Sequence, residues 1–126
     1  MLPTLAALFC LTGLPATAAD LTGQWTLTTL DGTKVAFAAT LDLSEQGRLS
    51  GMGPCNSYSG RLTTTAASFL PGPILATKRA CDGMADENRY LQALQMVDTA
   101  TLADENLTLT LTLTGEQVLV FTRAPD

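Results

Sequence analysis

Histidine is absent from this 126-residue chain. Without an imidazole there is no Ser-His-Asp or Cys-His proton relay, and the commonest metal ligand is missing too. Cysteine is scarce, at positions 10, 55 and 81, and that set cannot complete a tetrahedral zinc site. A Ser–Lys pair is disfavoured because no serine sits in a nucleophile elbow, and Lys34 and Lys78 lack apolar surroundings that would lower their pKa. Basic residues are few and scattered, seven against twelve acidic ones for a net charge of −5. This excludes the electrostatic footprint of a nucleic-acid or anionic-membrane binder. Gly51, Gly53 and Gly60 do not link a strand to a helix, so no phosphate-cradling loop is expected. No catalytic residue, metal or cofactor is therefore expected, and the chain reads as a non-enzyme.

The first nineteen residues carry no charged side chain. Within them "LAALFCLTGL" (5–14) is an apolar run of signal-peptide length, too short to span a bilayer. "PATAAD" follows and supplies the small residues of a cleavage site near Ala18 or Ala19. The rival readings are a buried N-terminal helix or lipidation of Cys10, where the bulky Phe9 is wrong for a lipobox. The expected division is a signal peptide at 1–19 and one domain at 20–126, periplasmic or secreted from a bacterium. Cys55 and Cys81 remain in that domain. An even count in an exported chain reads as a disulfide, worth roughly 3.5 kcal/mol for a loop of this length in the chain-entropy model. A free reactive thiol would need an activating base or helix terminus.

The domain reads mostly with period two. "GQWTLTTL" (23–30) and "KVAFAATLDLS" (34–44) are strands about the turn "DGT" (31–33). Val35, Phe37, Ala39, Leu41 and Leu43 share one face. "EQG" (45–47) turns into "RLSG" (48–51), and "RLTTT" (61–65) and "SFL" (68–70) are short strands. "ILATKRAC" (74–81) is extended. One helix spans 82–97, with Asp82 as its N-cap, acidic Asp86 and Glu87 at its positive end, and a stripe of Met84, Leu91 and Leu94 flanked by Tyr90 and Val97. Strands resume at "ATL" (100–102), "LTLTLTLT" (107–114) and "QVLVFTR" (117–123), with Leu107, Leu109, Leu111 and Leu113 inward. The acidic turns "DLSEQG" (42–47) and "ADEN" (103–106) read as hairpin connections rather than cation sites. The class is α+β: a strongly curved antiparallel sheet or partial barrel of seven to eight strands, with one helix before the last strands.

"GMGPCNSYSG" (51–60) interrupts the alternation. Gly53-Pro54 fixes a turn, Asn56 can bond its own loop or turn left-handed, and Gly60 bends the chain back into a strand. The first reading is a loop tied by Cys55–Cys81 to the start of the helix. The second is a binding loop that presents Asn56, Ser57 and Tyr58, with Tyr58 as the anchor.

These residues, in this order, resemble the META domain family, the type of the heat-shock protein HslJ. The resemblance rests on "GQW", "GMGPCNSYSG", "TKRAC" (77–81), "MADENRYLQAL" (84–94) and "LVFTR" (119–123). It singles out Trp25, Gly51, Asn56, Gly60, Thr77 and Glu87 as motif positions, with Pro54 where the family often has glycine. It implies a small non-catalytic envelope domain linked to stress or secretion. It also implies a fold similar to pilotins, which take a lipid tail or an extended peptide in the crack of a barrel. The expected partner is an envelope protein or a lipid or other hydrophobic ligand, bound by a monomer. The alternative is a small lipocalin-like protease inhibitor or hydrophobic-ligand carrier.

Overall fold

The computed structural model describes residues 14–15, 18–65, 68–114 and 117–124. The elements run β1 (Leu14–Pro15), α1 (Ala18–Leu21), β2 (Gln24–Leu30), β3 (Thr33–Lys34), β4 (Thr40–Asp42), β5 (Arg48–Met52), β6 (Ser57–Thr65), β7 (Ser68–Pro71), β8 (Leu75–Ala76), α2 (Met84–Gln95), β9 (Val97–Ala103), β10 (Thr108–Leu113) and β11 (Val118–Arg123). Eight strands follow one another in the order β9-β10-β11-β2-β4-β5-β6-β7. The pairing of Ser68 with Thr99 returns β7 to β9 and closes a barrel. Three two-residue strands, β1, β3 and β8, lie against β9, β2 and β6. The fold is thus the expected α+β architecture, with the curved sheet fully closed. β1 and the start of α1 fall within the stretch expected to be cleaved, and Cys10 lies outside the described residues.

Period two governs which side chains are buried, but not where strands break. Ala39, Leu41 and Leu43 are buried, with Val35 and Phe37 packed half-buried against the core. The segment 34–44 is nevertheless not one strand. Lys34 pairs with Thr29 and Thr40 with Thr26, so six residues cover a span that β2 crosses in three. The excess leaves the ladder between Lys34 and Thr40, while the Ala39 carbonyl still receives the Leu27 amide. Leu109, Leu111 and Leu113 face inward as expected, but Leu107 is 53% exposed. It follows three residues with positive φ, Asp104, Glu105 and Asn106, which lengthen the turn and keep Leu107 outside β10.

The helix also differs from expectation in its ends and its face. Gly83, not Asp82, is the N-cap, with no side-chain capping bond. Val97 opens β9 instead of ending the helix. The buried face is Glu87, Tyr90, Ala93 and Leu94, with Met84 and Leu91 only half-buried. Tyr90 is the centre of that face. Its ring meets Tyr58 of β6 edge-on at 5.8 Å and Phe121 of β11 at 6.4 Å. Those strands stand four steps apart either way round the barrel. Tyr90 therefore reaches the barrel axis, and α2 plugs one end of the barrel.

The other end is sealed around Trp25, which is fully buried and donates its indole N–H to the Leu21 carbonyl at 2.9 Å. The Arg123 guanidinium lies 4.2 Å from the Trp25 ring centre. It donates to the carbonyls of Asn106, Thr22 and Asp20. A planar fork over an aromatic face suits arginine in a way lysine does not match.

Inside the plug, the Tyr58 hydroxyl lies 2.6 Å from the Thr40 carbonyl and 2.7 Å from the Tyr90 hydroxyl. A carbonyl only accepts, so Tyr58 donates to Thr40 and Tyr90 donates to Tyr58. Burial raises both phenols well above the ordinary tyrosine pKa, keeping them neutral. The order of protons makes the two hydroxyls unequal. Tyr90→Phe removes one donor and should cost about 1 kcal/mol, whereas Tyr58→Phe also strands the Tyr90 hydroxyl and should cost about 2 kcal/mol or more. Urea unfolding of both variants checks this; equal or reversed losses would contradict the assigned direction.

Candidate functional site

The loop that connects β5 to β6 is short. Gly53 N–H donates to the Asn56 carbonyl at 2.8 Å and closes the turn, and Cys55 is joined to Cys81 just before α2. The anchor beneath is Glu87, 2% exposed. Its Oε1 accepts from the backbone amides of Cys55 (2.8 Å) and Asn56 (2.7 Å), and its Oε2 from Asn56 Nδ2 at 2.6 Å. Asn56 in turn accepts at Oδ1 from the Thr77 hydroxyl and the Arg79 amide, and donates to the Arg79 carbonyl. The side chain of Asn56 thus bonds two other segments rather than its own loop. Burial opposes ionisation of Glu87, but the hydrogen bonds from Asn56 and Cys55 outweigh it and hold its pKa below the ordinary glutamate value.

Two motif glycines are explained by crowding. A Cβ at Gly51 would collide with the Thr40 carbonyl and lie 2.7 Å from the Tyr58 hydroxyl. A Cβ at Gly60 would lie 2.9 Å from the Pro73 carbonyl. Gly60 sits inside β6, so its role is this close approach and not the bend expected there.

Of the three residues expected to form a binding loop, only Ser57 is exposed; Asn56 and Tyr58 are buried and fully engaged. Tyr58 is a barrel-plug residue, not a surface anchor. Trp25 lies at the far end of the barrel, away from the knot. Asn56, Thr77, Glu87 and the disulfide are brought together in one cluster.

Beside the knot, on the outer wall, is a groove of about 670 Å³. It runs over the β4–β5 seam, where the only register pair is Asp42 with Ser50. Higher on that seam, side chains take over: Thr40 Oγ1 accepts from the Met52 amide, and Tyr58 reaches the Thr40 carbonyl. Ser50, Ser57 and Ser59 line the groove, with Gln24 at one end and Met52 and Leu75 as walls. Apart from Ser57 these were not recognised from the sequence. The signal available was the alternation through 57–59, which turns both serines outward once Tyr58 is placed inside.

The chain matches the META domain over residues 19–126. It belongs to the META domain family. No curated protein matches it. Two solved structures share the fold. One is an NMR structure of a protein from Burkholderia xenovorans, 24% identical, with TM-score 0.72, covering 99% of this chain and 100% of that one. The other is an NMR structure at 19% identity and TM-score 0.64, covering 86% of this chain and 95% of that one. In this META domain the motif residues Asn56, Thr77 and Glu87 have a common physical role, holding the β5–β6 loop, the 77–79 segment and the helix as one unit.

The knot gives the META domain a defined acid response. A lowered folded-state pKa means that Glu87 contributes stability above the unfolded value near 4.3. That contribution is lost as pH falls through the folded value. Glu87→Gln should lower stability at pH 7 by about 1–3 kcal/mol, through donors left facing an amide N–H₂. The gap to wild type should close as the pH drops below about 4. Urea unfolding from pH 7 to pH 3 measures it; a pH-independent gap would exclude Glu87 as the titrating group.

Proposed function

We propose that this META domain is an exported, non-catalytic binding protein that takes its ligand in the groove over the β4–β5 seam. The observation that carries this is the contrast between the barrel interior and its wall. The axis is filled by Tyr90, Phe121 and Leu94, all fully buried, which leaves no role for the lumen as in a lipocalin-like carrier. The groove on the wall is of the size typical of small-ligand sites, about 300–1,000 Å³. Its floor is a rigid sheet, which loses little entropy on binding. The absence of histidine supports a non-catalytic role. So does the engagement of Glu87, Tyr58 and Tyr90 in structural hydrogen bonds, since each is held away from a pKa near neutrality. Export is supported by the Cys55–Cys81 bond, which needs an oxidising compartment. A role in envelope stress or secretion remains the family-level expectation.

Two measurements test this. Mass spectrometry of the protein made in a bacterial host should give a chain beginning at Ala19 or Asp20; an intact Met1 would refute export. Isotope-labelled protein mixed with a periplasmic small-molecule extract should show amide shifts confined to residues 48–52, 57–59 and 75–77, with every extract mass unchanged. Consumption of an extract component, or shifts centred elsewhere, would overturn the binding reading.

A further inference from the structure

We infer that the groove recognises a neutral, hydroxyl-rich ligand, a short glycan chain, an inference that rests on the binding reading above. The strand register builds the surface. Gln24 pairs with Asp42, Asp42 with Ser50, Ser50 with Ser59 and Ser59 with Leu75, so one row of outward side chains crosses five strands. Two residues along β6, about 7 Å away, a second row carries Met52 opposite Ser57. Between them the row of Gly51, Tyr58 and Ala76 gives the floor no outward bulk, because Gly51 has no side chain and Tyr58 turns inward.

The chemistry of that surface selects among ligand classes. The hydroxyls of Ser50, Ser57 and Ser59 make no side-chain hydrogen bond among the described residues. Each can donate and accept, and all three stand on a fixed frame. The two charged lining residues, Asp42 and Arg48, have opposite signs. Each already has a local partner, the Ser44 amide for Asp42 and the Glu45 carboxylate for Arg48. The charges of the lining itself therefore cancel, and with Glu45 counted beside Arg48 the site is slightly negative, so it offers nothing to an anionic ligand. A lipid chain would strip water from three serine hydroxyls and return no hydrogen bond, which is unfavourable. An extended peptide seeks free backbone groups at a sheet edge, yet β5 is paired with β6 at five register positions. On its sparse β4 side the Arg48 and Met52 amides are taken by the Glu45 carbonyl and Thr40 Oγ1, while Tyr58 takes the Thr40 carbonyl. A pyranose chain fits both requirements. Its hydroxyl and amide groups exchange hydrogen bonds with the serines and Gln24, and its apolar C–H faces or acetyl methyls lie against Met52 and Leu75, which are 52% and 74% exposed.

The probe is chitotetraose, four β-linked N-acetylglucosamine units, titrated into isotope-labelled protein, with lysophosphatidylcholine below its micellar concentration in a parallel titration. Saturable shifts with the saccharide at 48–52, 57–59 and 75–77 are expected. Ser59→Leu, which fills the floor from an outward-facing position, should weaken them at least ten-fold while the rest of the spectrum stays folded; Ser50→Ala should weaken them less. Shifts at the groove with the lipid and none with the saccharide would overturn the glycan inference and leave the groove as a binding site. Undiminished saccharide binding in folded Ser59→Leu would overturn the location. Silence with both probes would overturn the glycan inference, and the extract titration would then decide separately whether the groove binds at all.

Discussion

A buried carboxylate sets the terms for this molecule. Glu87 is removed from water and ionised, a state that is unfavourable by several kcal/mol unless donors surround it. The donors come from the loop of Cys55 and Asn56, assisted by the positive end of α2, in whose first turns Glu87 lies. To deliver two consecutive backbone amides to one oxygen, the loop must turn tightly. To aim the third donor, Asn56 must point into the protein, where Thr77 and Arg79 satisfy its remaining oxygen. The Cys55–Cys81 bond joins the same two segments on the outside. Covalent and hydrogen-bonded ties are thus parallel restraints on one junction.

That junction fixes the helix, and the helix fixes the barrel end. Glu87 and Tyr90 lie on one face, three residues apart. Anchoring Glu87 at the rim drives Tyr90 toward the axis, where it donates to Tyr58 and packs on Phe121. Tyr58 passes the constraint outward to Thr40 and so to the weakest seam of the wall. The groove on the outer face therefore lies directly over a chain of contacts that begins at the buried anion. At the opposite end Arg123 and Trp25 close the barrel by a different device, a cation over an aromatic ring with three carbonyls as acceptors.

Much of this architecture is legible in the chain, and the gaps have physical causes. Alternation identified the inward residues Leu41, Leu43, Leu109 and Leu111, because a half-buried strand leaves no other pattern. It missed the break after Lys34, since here the alternation of Val35, Phe37, Ala39, Leu41 and Leu43 runs on through the stretch that has left the ladder. Leu107 looked like the next member of a leucine series. Only the three left-handed residues before it move it outside the strand, and nothing in Asp104, Glu105 or Asn106 separately demands that conformation. At the site, the disulfide followed from cysteine count and compartment. The burial of Glu87 was not legible for an intelligible reason: an acidic residue near a helix start has a sufficient explanation in the dipole, so its burial left no mark on local pattern. Tyr58 was recoverable. With Ser57 and Ser59 on either side, alternation alone assigns it to the interior, and the glycine-rich setting drew attention away from that period.

The same logic explains why a loop rich in recognition-type residues faces inward while a plain run of serines faces out. Asn and Tyr carry polar tips that can complete a buried network, and burying them adds both apolar area and directional bonds. Serine offers little apolar area, so an interior position gains less, and on a sheet face its hydroxyl keeps both donor and acceptor available. The division of labour between the β5–β6 turn and the wall beside it follows from that difference. The residues able to specify the fold are consumed by it, and the surface left over is small, rigid, uncharged on balance and hydroxylated. Any binding by this wall has to exploit those four properties together, because the groove's aromatic lining residue, Tyr58, is buried with its hydroxyl engaged, and its charged ones, Asp42 and Arg48, are of opposite sign.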